Sequence, residues 1–132
     1  MRREDLKMME QNVLSAKKYY QAMNDRNVAT IEKLLHPDVQ FISPMVQATG
    51  KEKMLGVMSN FGKLFKTLTI DTAFGSGNQV IVIYDLDCQP PVGTFRTAAF
   101  MTFQDGLIAR IEAFYDARHW EKFPCNNSRG SQ

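Results

Sequence analysis

An aspartate and a histidine near the C-terminus have the spacing of an acid/base pair. Asp116 and His119 lie three residues apart, so a helical turn would bring their side chains together. A neighbouring carboxylate moves the titration of a histidine within the physiological pH range, which suits proton transfer. Asp116 is equally suited to cap the turn that follows a strand. His119 could equally be a surface histidine or one whose hydrogen bonds are satisfied within the fold. The pair therefore indicates either general acid/base chemistry or a structural cap.

Two further carboxylates, Asp85 and Asp87, share one face of a predicted strand. Paired carboxylates can divide acid and base work or hold a metal ion. They lack a surrounding set of histidine or cysteine ligands, and Arg96 follows across the turn at Pro90-Pro91. We therefore expect either solvent exposure of these carboxylates or a salt bridge with Arg96, rather than a metal site.

The first helix positions a third candidate, Tyr19. Apolar residues recur every three or four positions, which predicts a helix over about Asp5–Asn24. Its buried stripe comprises Met9, Val13, Ala16, Tyr20 and Met23. Tyr19 lies about 100° around the helix from Tyr20, at the edge of this stripe. An edge tyrosine can keep its ring in the core while its hydroxyl reaches a cavity or water.

Two shorter helices and a strand follow. Asn27 suits the N-cap of a second helix, which His36-Pro37 ends. The alternation over Val39–Ser43 predicts a strand. Residues 49–52 match a capping box that would start a third helix, with Thr49 and Glu52 as the reciprocal pair. The broad apolar face of this helix, which suits a curved sheet or an adaptable pocket wall, comprises Met54, Leu55, Val57, Met58, Phe61, Leu64 and Phe65.

From residue 66 onward the pattern is that of strands. The predicted strands are Leu68–Phe74, Val80–Cys88, Thr94–Gln104 and Leu107–Tyr115. Helices followed by an antiparallel meander indicate the α+β class. We expect one domain over residues 1–123 and a disordered tail over residues 124–132.

The dipeptide Asp105-Gly106 predicts a type I′ hairpin between the last two strands. A two-residue loop places Phe103 opposite Ile108 and Phe95 opposite Asp116. A β-bulge would shift these pairs. The sheet face that carries Asp116 therefore stays open.

Composition excludes several classes of function. The 132 residues carry a net charge of +2, and the basic residues are scattered, which argues against nucleic-acid binding. Cys88 and Cys125 have neither metal-ligand nor redox spacing. The charged N-terminus is not typical of a signal peptide, and no apolar run approaches the ~20 residues of a membrane span. We expect a cytoplasmic protein that binds neither nucleic acid nor membrane.

Two separated motifs resemble the nuclear transport factor 2-like superfamily. Residues 18–25 (KYYQAMND), together with the Leu-His-Pro-Asp-Val corner that ends at Val39, resemble the opening of these proteins. Residues 103–116 (FQDGLIARIEAFYD) resemble the close of the SnoaL-like branch. The likeness covers about residues 8–122. It implies a cone-shaped fold in which three N-terminal helices pack on a strongly curved, mostly antiparallel sheet.

Ketosteroid isomerases of this superfamily use an aspartate base and a tyrosine–aspartate oxyanion hole. The resemblance places their tyrosine on Tyr19, their base on Ser43 and their oxyanion-hole aspartate on Ala99. Serine does not replace a carboxylate as proton acceptor, and an alanine side chain donates no hydrogen bond. Isomerisation by that arrangement is therefore not expected.

The SnoaL-like cyclases carry an acidic general acid/base near the end of the last strand, where this chain has Asp116. The resemblance thus implies that Asp116 is the acid/base, that His119 tunes or relays its proton, and that Tyr19 donates to a substrate oxygen. Further ligand contacts are expected from Ser43, Phe61, Tyr115 and Trp120.

The expected function is binding of a small, largely apolar molecule in a cone-shaped pocket. Cyclisation, isomerisation or hydration of a SnoaL-like kind stays open as its chemistry. The resemblance implies no organic cofactor and no metal, and it implies a homodimer formed through the outer face of the sheet. The alternative is a non-catalytic module of the same fold that binds a partner protein.

Overall fold

The computed structural model describes residues 2–118, which contain three α-helices and one six-stranded sheet. The helices are α1 (Arg3–Asn24), α2 (Val28–Leu34) and α3 (Lys51–Phe61). The strands are β1 (Leu35–Ile42), β2 (Gln47–Thr49), β3 (Phe65–Ser76), β4 (Gln79–Cys88), β5 (Thr94–Gln104) and β6 (Leu107–Phe114). The α+β prediction is confirmed. The predicted tail, together with His119 and Trp120, lies outside the described residues.

The sheet is a curved, mostly antiparallel layer with the strand order β2-β1-β6-β5-β4-β3. Only the β1–β6 pair among the described strands is parallel. Helix α1 packs across β3 and β4 on what we call the inner face of the sheet, and the opposite face is the outer face. Gly75 permits this approach, because a Cβ atom there would lie 3.0 Å from Val13 Cγ2 and 3.1 Å from the Gln79 carbonyl oxygen.

The apolar stripe predicted for the first helix is confirmed as buried in the C-terminal half of the helix. Ala16, Tyr20 and Met23 on α1 are at most 5% exposed. The helix begins two residues earlier than predicted, at Arg3. Tyr19, predicted at the edge of the stripe, is as buried as Tyr20. Both tyrosines therefore belong to the core that α1 forms with the inner face.

The start of α2 matches its prediction, whereas the start of α3 does not. The Asn27 side chain accepts a hydrogen bond from the Thr30 backbone N–H at 3.2 Å, so it is the N-cap of α2. The capping box predicted for α3 is wrong. Thr49 lies in β2, paired with Gln40 of β1, and Gly50 is the N-cap with φ of 97° and no side-chain cap bond. Pairing with β1 holds Thr49 extended, and glycine makes the abrupt change from strand to helix.

Two strands begin earlier than predicted. β1 begins at Leu35 rather than Val39, because Leu35 already pairs with Ile108 of β6 and a register shift accommodates the residues around Pro37. β3 begins at Phe65 rather than Leu68. The apolar face assigned to the third helix was therefore too long, since α3 ends at Phe61.

An arginine that connects α1 to α2 also fixes the end of α3. The Arg26 guanidinium donates to the carbonyl oxygen of Gly62 from Nε at 3.2 Å and from Nη2 at 2.9 Å. It also donates to the carbonyl oxygens of Asn24, Phe65 and Lys66, and it lies 4.2 Å from the centre of the Phe65 ring. Carbonyl groups at a helix C-terminus lack intrahelical partners, so a cation there is stabilising. We call this set of bonds the Arg26 clasp.

Of the two alternatives for Asp85 and Asp87, solvent exposure or a salt bridge with Arg96, the structure shows the salt bridge for Asp85. Arg96 on β5 lies opposite Asp85 on β4, with Nε 2.9 Å from Oδ1 and Nη2 3.1 Å from Oδ2. Hydrogen bonding to Arg96 holds the pKa of Asp85 below its ordinary value. Asp87 accepts from the Thr94 hydroxyl at 3.2 Å. Among residues 2–118 no group of histidine, cysteine, aspartate and glutamate side chains could hold a metal ion.

Cys88 is a buried free thiol. Burial raises its pKa to about 11. Cys125 lies outside the described residues. None of the helices in the described part of the chain combines the length and the apolar composition that a membrane crossing requires.

Candidate functional site

A cavity of about 340 Å³ lies between α1, α3 and the inner face of the sheet. Half of its lining consists of buried side chains, which we call the inner wall: Tyr19, Tyr20, Met23, Met58, Tyr84, Leu86, Phe95, Thr97 and Ala113. The other half is half-buried or exposed and forms the rim: Phe41, Ser43, Met45, Val46, Val57, Asn60, Phe61, Leu64 and Tyr115. A volume of this size is typical of small-molecule sites.

Three tyrosine rings pack against one another at the inner wall. The Tyr19 and Tyr20 rings meet edge to face with centroids 4.8 Å apart, and the Tyr20 and Tyr84 rings lie 4.6 Å apart. Helix α1 supplies the first two, and β4 supplies Tyr84 because the alternation of the strand turns it toward the inner face. Aromatic contacts of this kind add packing energy beyond buried area. The cluster fixes the positions of three phenol groups.

The Tyr19 hydroxyl has an unusual partner. It donates to the Met58 sulfur of α3 at 3.0 Å. A thioether is a weak acceptor, so this hydrogen bond is weaker than one to an oxygen acceptor would be. Burial, followed by the proximity of Tyr84, raises the pKa of Tyr19 well above its ordinary value. Tyr19 therefore stays a neutral hydrogen-bond donor throughout the physiological pH range.

Tyr84 and Thr97 are cross-strand neighbours on β4 and β5. Burial is the main cause that raises the pKa of Tyr84, and hydrogen bonding to Tyr20 and the nearby Thr97 hydroxyl offset part of the rise. The Thr97 side chain is 2% exposed, and its Oγ1 makes no hydrogen bond of regular length and angle within residues 2–118. The inner wall thus contains a buried hydroxyl that lacks a regular partner.

Polar groups at the rim are fewer and more exposed. The Ser43 hydroxyl donates to the carbonyl oxygen of Val46 and accepts from its N–H, both at 3.1 Å, so it closes a tight turn after β1. The Tyr115 hydroxyl lies 3.5 Å from Ser43 Oγ. Asn60 on α3 adds an amide. These groups place polar contacts where a ligand would meet solvent.

A bulge decides which C-terminal residues face the cavity. Phe103 pairs with Ile108, as the Asp105-Gly106 turn requires, and φ is positive at both turn residues. The register then shifts by one residue, so that Thr102 pairs with Arg110. Of the two alternatives, the structure therefore has the bulged hairpin, in which Phe95 does not oppose Asp116, and β6 ends at Phe114. Ala113 and Tyr115 consequently line the cavity.

Asp116 directly follows Tyr115 but is not among the described residues that line the cavity. Its carboxylate is 41% exposed and accepts from the Arg118 guanidinium, with Nη2 2.6 Å from Oδ2. It also accepts from the Arg118 backbone N–H at 3.0 Å, which is the capping contact expected for a strand-end aspartate. His119 and Trp120 lie outside the described residues. The acid/base role of Asp116 and His119 stays a prediction.

The structure therefore brings four predicted site residues, Tyr19, Ser43, Phe61 and Tyr115, around one cavity. Within the described part of the lining there is no carboxylate and no histidine, and Ala99 does not line it. The arrangement can bury apolar surface and donate hydrogen bonds from neutral hydroxyls.

Sequence reasoning missed Tyr84 and Thr97 as polar groups of the inner wall, and it missed the contact between Tyr19 and Met58. Tyr84 and Thr97 could have been found from strand alternation. Tyr84 precedes Asp85 and Thr97 follows Arg96, and since that ion pair lies on the outer face, its neighbours must point to the inner face. The contact between Tyr19 and Met58 carried no signal, because it joins two helices that are 39 positions apart.

Comparison with known proteins identifies this arrangement of elements. The model of the SnoaL-like domain matches residues 16–111. A comparison with curated proteins finds no match. A solved protein of Kribbella flavida superposes with a TM-score of 0.78 at 20% identity, over 91% of this chain and 97% of that chain.

Two further solved structures carry names that describe chemistry or a ligand. A candidate ketosteroid isomerase from Kribbella flavida superposes with a TM-score of 0.72 at 24% identity, over 82% of this chain and 79% of that chain. TerC, crystallised with polyporic acid, superposes with a TM-score of 0.73 at 18% identity, over 84% of this chain and 95% of that chain. At these identities the likeness establishes the nuclear transport factor 2-like fold alone.

Proposed function

Because the chain belongs to the SnoaL-like domain family, we propose that its cavity binds a small, largely apolar organic molecule. The observation that carries the proposal is the cavity of about 340 Å³, whose lining is mostly aromatic and aliphatic with a few hydroxyl groups. Each 100 Å² of apolar ligand surface that leaves water contributes about 2.5 kcal/mol. Three lining methionines, Met23, Met45 and Met58, suit ligands of varied shape, because their side chains are flexible and polarisable.

The comparisons support a ligand of this kind. TerC, which shares the fold, was co-crystallised with polyporic acid, and another structural relative is a candidate ketosteroid isomerase. In this chain Tyr19 is the best-placed donor for a ligand oxygen, because an oxygen acceptor would replace the weak Met58 sulfur. If the bound molecule reacts, we propose that Asp116 serves as the acid/base with His119 as its relay.

A thermal-shift screen of the purified protein tests the proposal. The panel contains steroids, aromatic polyketides, terpenoid epoxides and small hydroxy-carbonyl compounds. A ligand at 100 times its dissociation constant stabilises the folded state by about 2.7 kcal/mol, which gives a clear increase in Tm. Tyr19→Phe is expected to weaken binding of an oxygen-containing hit about fivefold to tenfold, because it removes one buried hydrogen-bond donor.

Asp116→Asn separates binding from catalysis. An enzyme is expected to lose turnover of the hit while keeping its affinity, whereas a binding protein keeps its affinity and has no turnover to lose. An unchanged Tm across the whole panel would contradict the proposal. That result would favour the alternative, a non-catalytic module that recognises a partner protein.

The homodimer expected from the family likeness has a suitable surface on the outer face. Across four strands the register aligns Phe74, Ile81 and Phe100 in one row, and Ile83, Ala98 and Phe114 in the next. Phe74 is 59% exposed and Phe114 is 51% exposed. Ion pairs border this strip, because Arg96 and Asp85 lie in the row beyond Ala98 and Ile83, and Glu112, which pairs with Arg110, lies opposite Phe100 at the β6 end of the first row. We propose that a second copy of the chain covers this apolar strip, since such patches mark interaction sites.

Phe100→Glu is expected to convert the dimer to a monomer, because it places a charge in the centre of the apolar strip. Leu14→Glu is the matched control, since Leu14 is 64% exposed on α1, away from the sheet. Sedimentation analysis measures both. A monomeric wild-type protein, or a dimer that survives Phe100→Glu, would contradict the proposed interface.

A further inference from the structure

Thr97 is the feature of the cavity that an apolar ligand alone does not explain. It is 2% exposed on the inner wall, and its hydroxyl oxygen has no regular hydrogen-bond partner among residues 2–118. Leaving a buried hydroxyl without a partner is unfavourable, whereas a valine of the same shape would avoid the cost. A polar residue at such a position is expected to serve a ligand.

Two hydroxyls of the inner wall have no oxygen partner at regular hydrogen-bond geometry within residues 2–118. Tyr19 gives its proton to a sulfur, and the Thr97 hydroxyl lies near that of Tyr84 without a regular bond. Each hydroxyl brings one proton and an oxygen that can also accept. Within the described residues the inner wall contributes no carboxylate or side-chain amide oxygen. A ligand oxygen that accepts a hydrogen bond can take the protons of Tyr19 and Thr97, whereas a ligand that only donates leaves both protons without an oxygen acceptor.

Charge restricts the ligand further. No aspartate, glutamate, lysine, arginine or histidine is among the described lining residues. An ion that leaves water for such a site loses its hydration and finds no counter-charge. An uncharged ligand avoids this cost.

From these observations we propose that Thr97 is a specificity-determining residue, whose hydroxyl donates to an acceptor oxygen of an uncharged, otherwise apolar ligand. The oxygen is that of a ketone, ester or ether. The inference rests on the proposed function, because it requires that the cavity binds an apolar molecule at all.

Three bicyclic probes of nearly equal size test the inference: tetralin, 1-tetralone and tetralin-1-carboxylate. They present no oxygen, one neutral acceptor oxygen and an anion, respectively. Calorimetric titration of the wild-type protein is expected to show that 1-tetralone binds about tenfold more tightly than tetralin. The carboxylate is expected to bind more weakly than either.

Two substitutions assign the preference to Thr97. Thr97→Val removes the hydroxyl at nearly constant shape, so it is expected to lower the affinity ratio of 1-tetralone to tetralin severalfold, to the part that Tyr19 contributes, while tetralin still binds. Thr97→Ser keeps the hydroxyl and is expected to keep the preference. Because each ratio is measured within one variant, a moderate change in stability does not alter the comparison.

The outcomes separate the inference from the proposed function. A tetralone preference that is equal in the wild-type protein and Thr97→Val would overturn the role of Thr97 while leaving the binding function intact. Equal binding of tetralin and 1-tetralone by the wild-type protein would overturn the requirement for an acceptor oxygen. Binding of none of the three probes would count against the proposed function itself, and the inference would fall with it.

Discussion

Replacing Val57 with tryptophan is expected to abolish binding of apolar ligands while the protein stays folded. Val57 lies on α3 and lines the rim of the cavity, so an indole ring at this position would occupy space that a ligand needs. Because the side chain is half-buried at the rim, the larger ring can enter the cavity without displacing the closely packed inner wall. We expect a loss of affinity of about a hundredfold or more, which corresponds to about 3 kcal/mol.

Ser59→Trp is the matched control for this substitution. Ser59 lies two residues further along the same helix, is exposed, and is not among the described residues that line the cavity. Ser59→Trp is therefore expected to bind ligands as the wild-type protein does. Circular dichroism and calorimetric titration with a hit from the thermal-shift screen measure fold and affinity. Undiminished binding by a folded Val57→Trp variant would place the ligand elsewhere.

Arg26→Ala is expected to lower the free energy of unfolding by about 2 kcal/mol, although Arg26 is exposed. The Arg26 clasp satisfies carbonyl groups at the end of α3 and in the turn to β3, and no neighbouring side chain could replace a five-donor guanidinium. Urea denaturation measures the change. Because the clasp sets the position of the segment that carries Phe61 and Leu64, the variant is also expected to bind ligands more weakly.

Two further variants test the physical reason for this loss. Arg26→Lys keeps the charge but loses the planar fork, so it is expected to recover only a minor part of the stability. Arg3→Ala, in the exposed first turn of α1, is expected to change stability by less than about 0.5 kcal/mol. If Arg26→Ala lowers the free energy of unfolding no more than Arg3→Ala does, the Arg26 clasp is not a stabilising element.

The sequence predicted most elements because their signals are local. The α1 stripe, the Asn27 cap and the Asp105-Gly106 turn each depend on a few adjacent residues, and the structure confirms all three. The start of α3 was mispredicted for a non-local reason. Thr49 has the residue type of a cap, but pairing of β2 with β1 decides its conformation.

The candidate site was predictable only in part, because it depends on contacts between distant elements. Tyr19 could be found from its position on one helix together with the family resemblance, and Ser43 from the resemblance alone. The proximity of Tyr19 to Met58, and the Thr97 hydroxyl that makes no regular hydrogen bond within residues 2–118, depend on how α1, α3 and β5 come together. The one-residue bulge in the β5–β6 hairpin, which turns Tyr115 toward the cavity, has no marker in the sequence.

Methyl NMR of methionine-labelled protein tests the central claim most directly, because methionines report from inside and outside the cavity. Met23, Met45 and Met58 line it, whereas Met8 is 46% exposed on α1. Saturation with 1-tetralone, or with a hit from the thermal-shift screen, is expected to shift the methyl signals of those three and leave that of Met8 in place. Signals of the three lining methionines that stay fixed under saturation, or a shift confined to Met8, would contradict binding in this cavity.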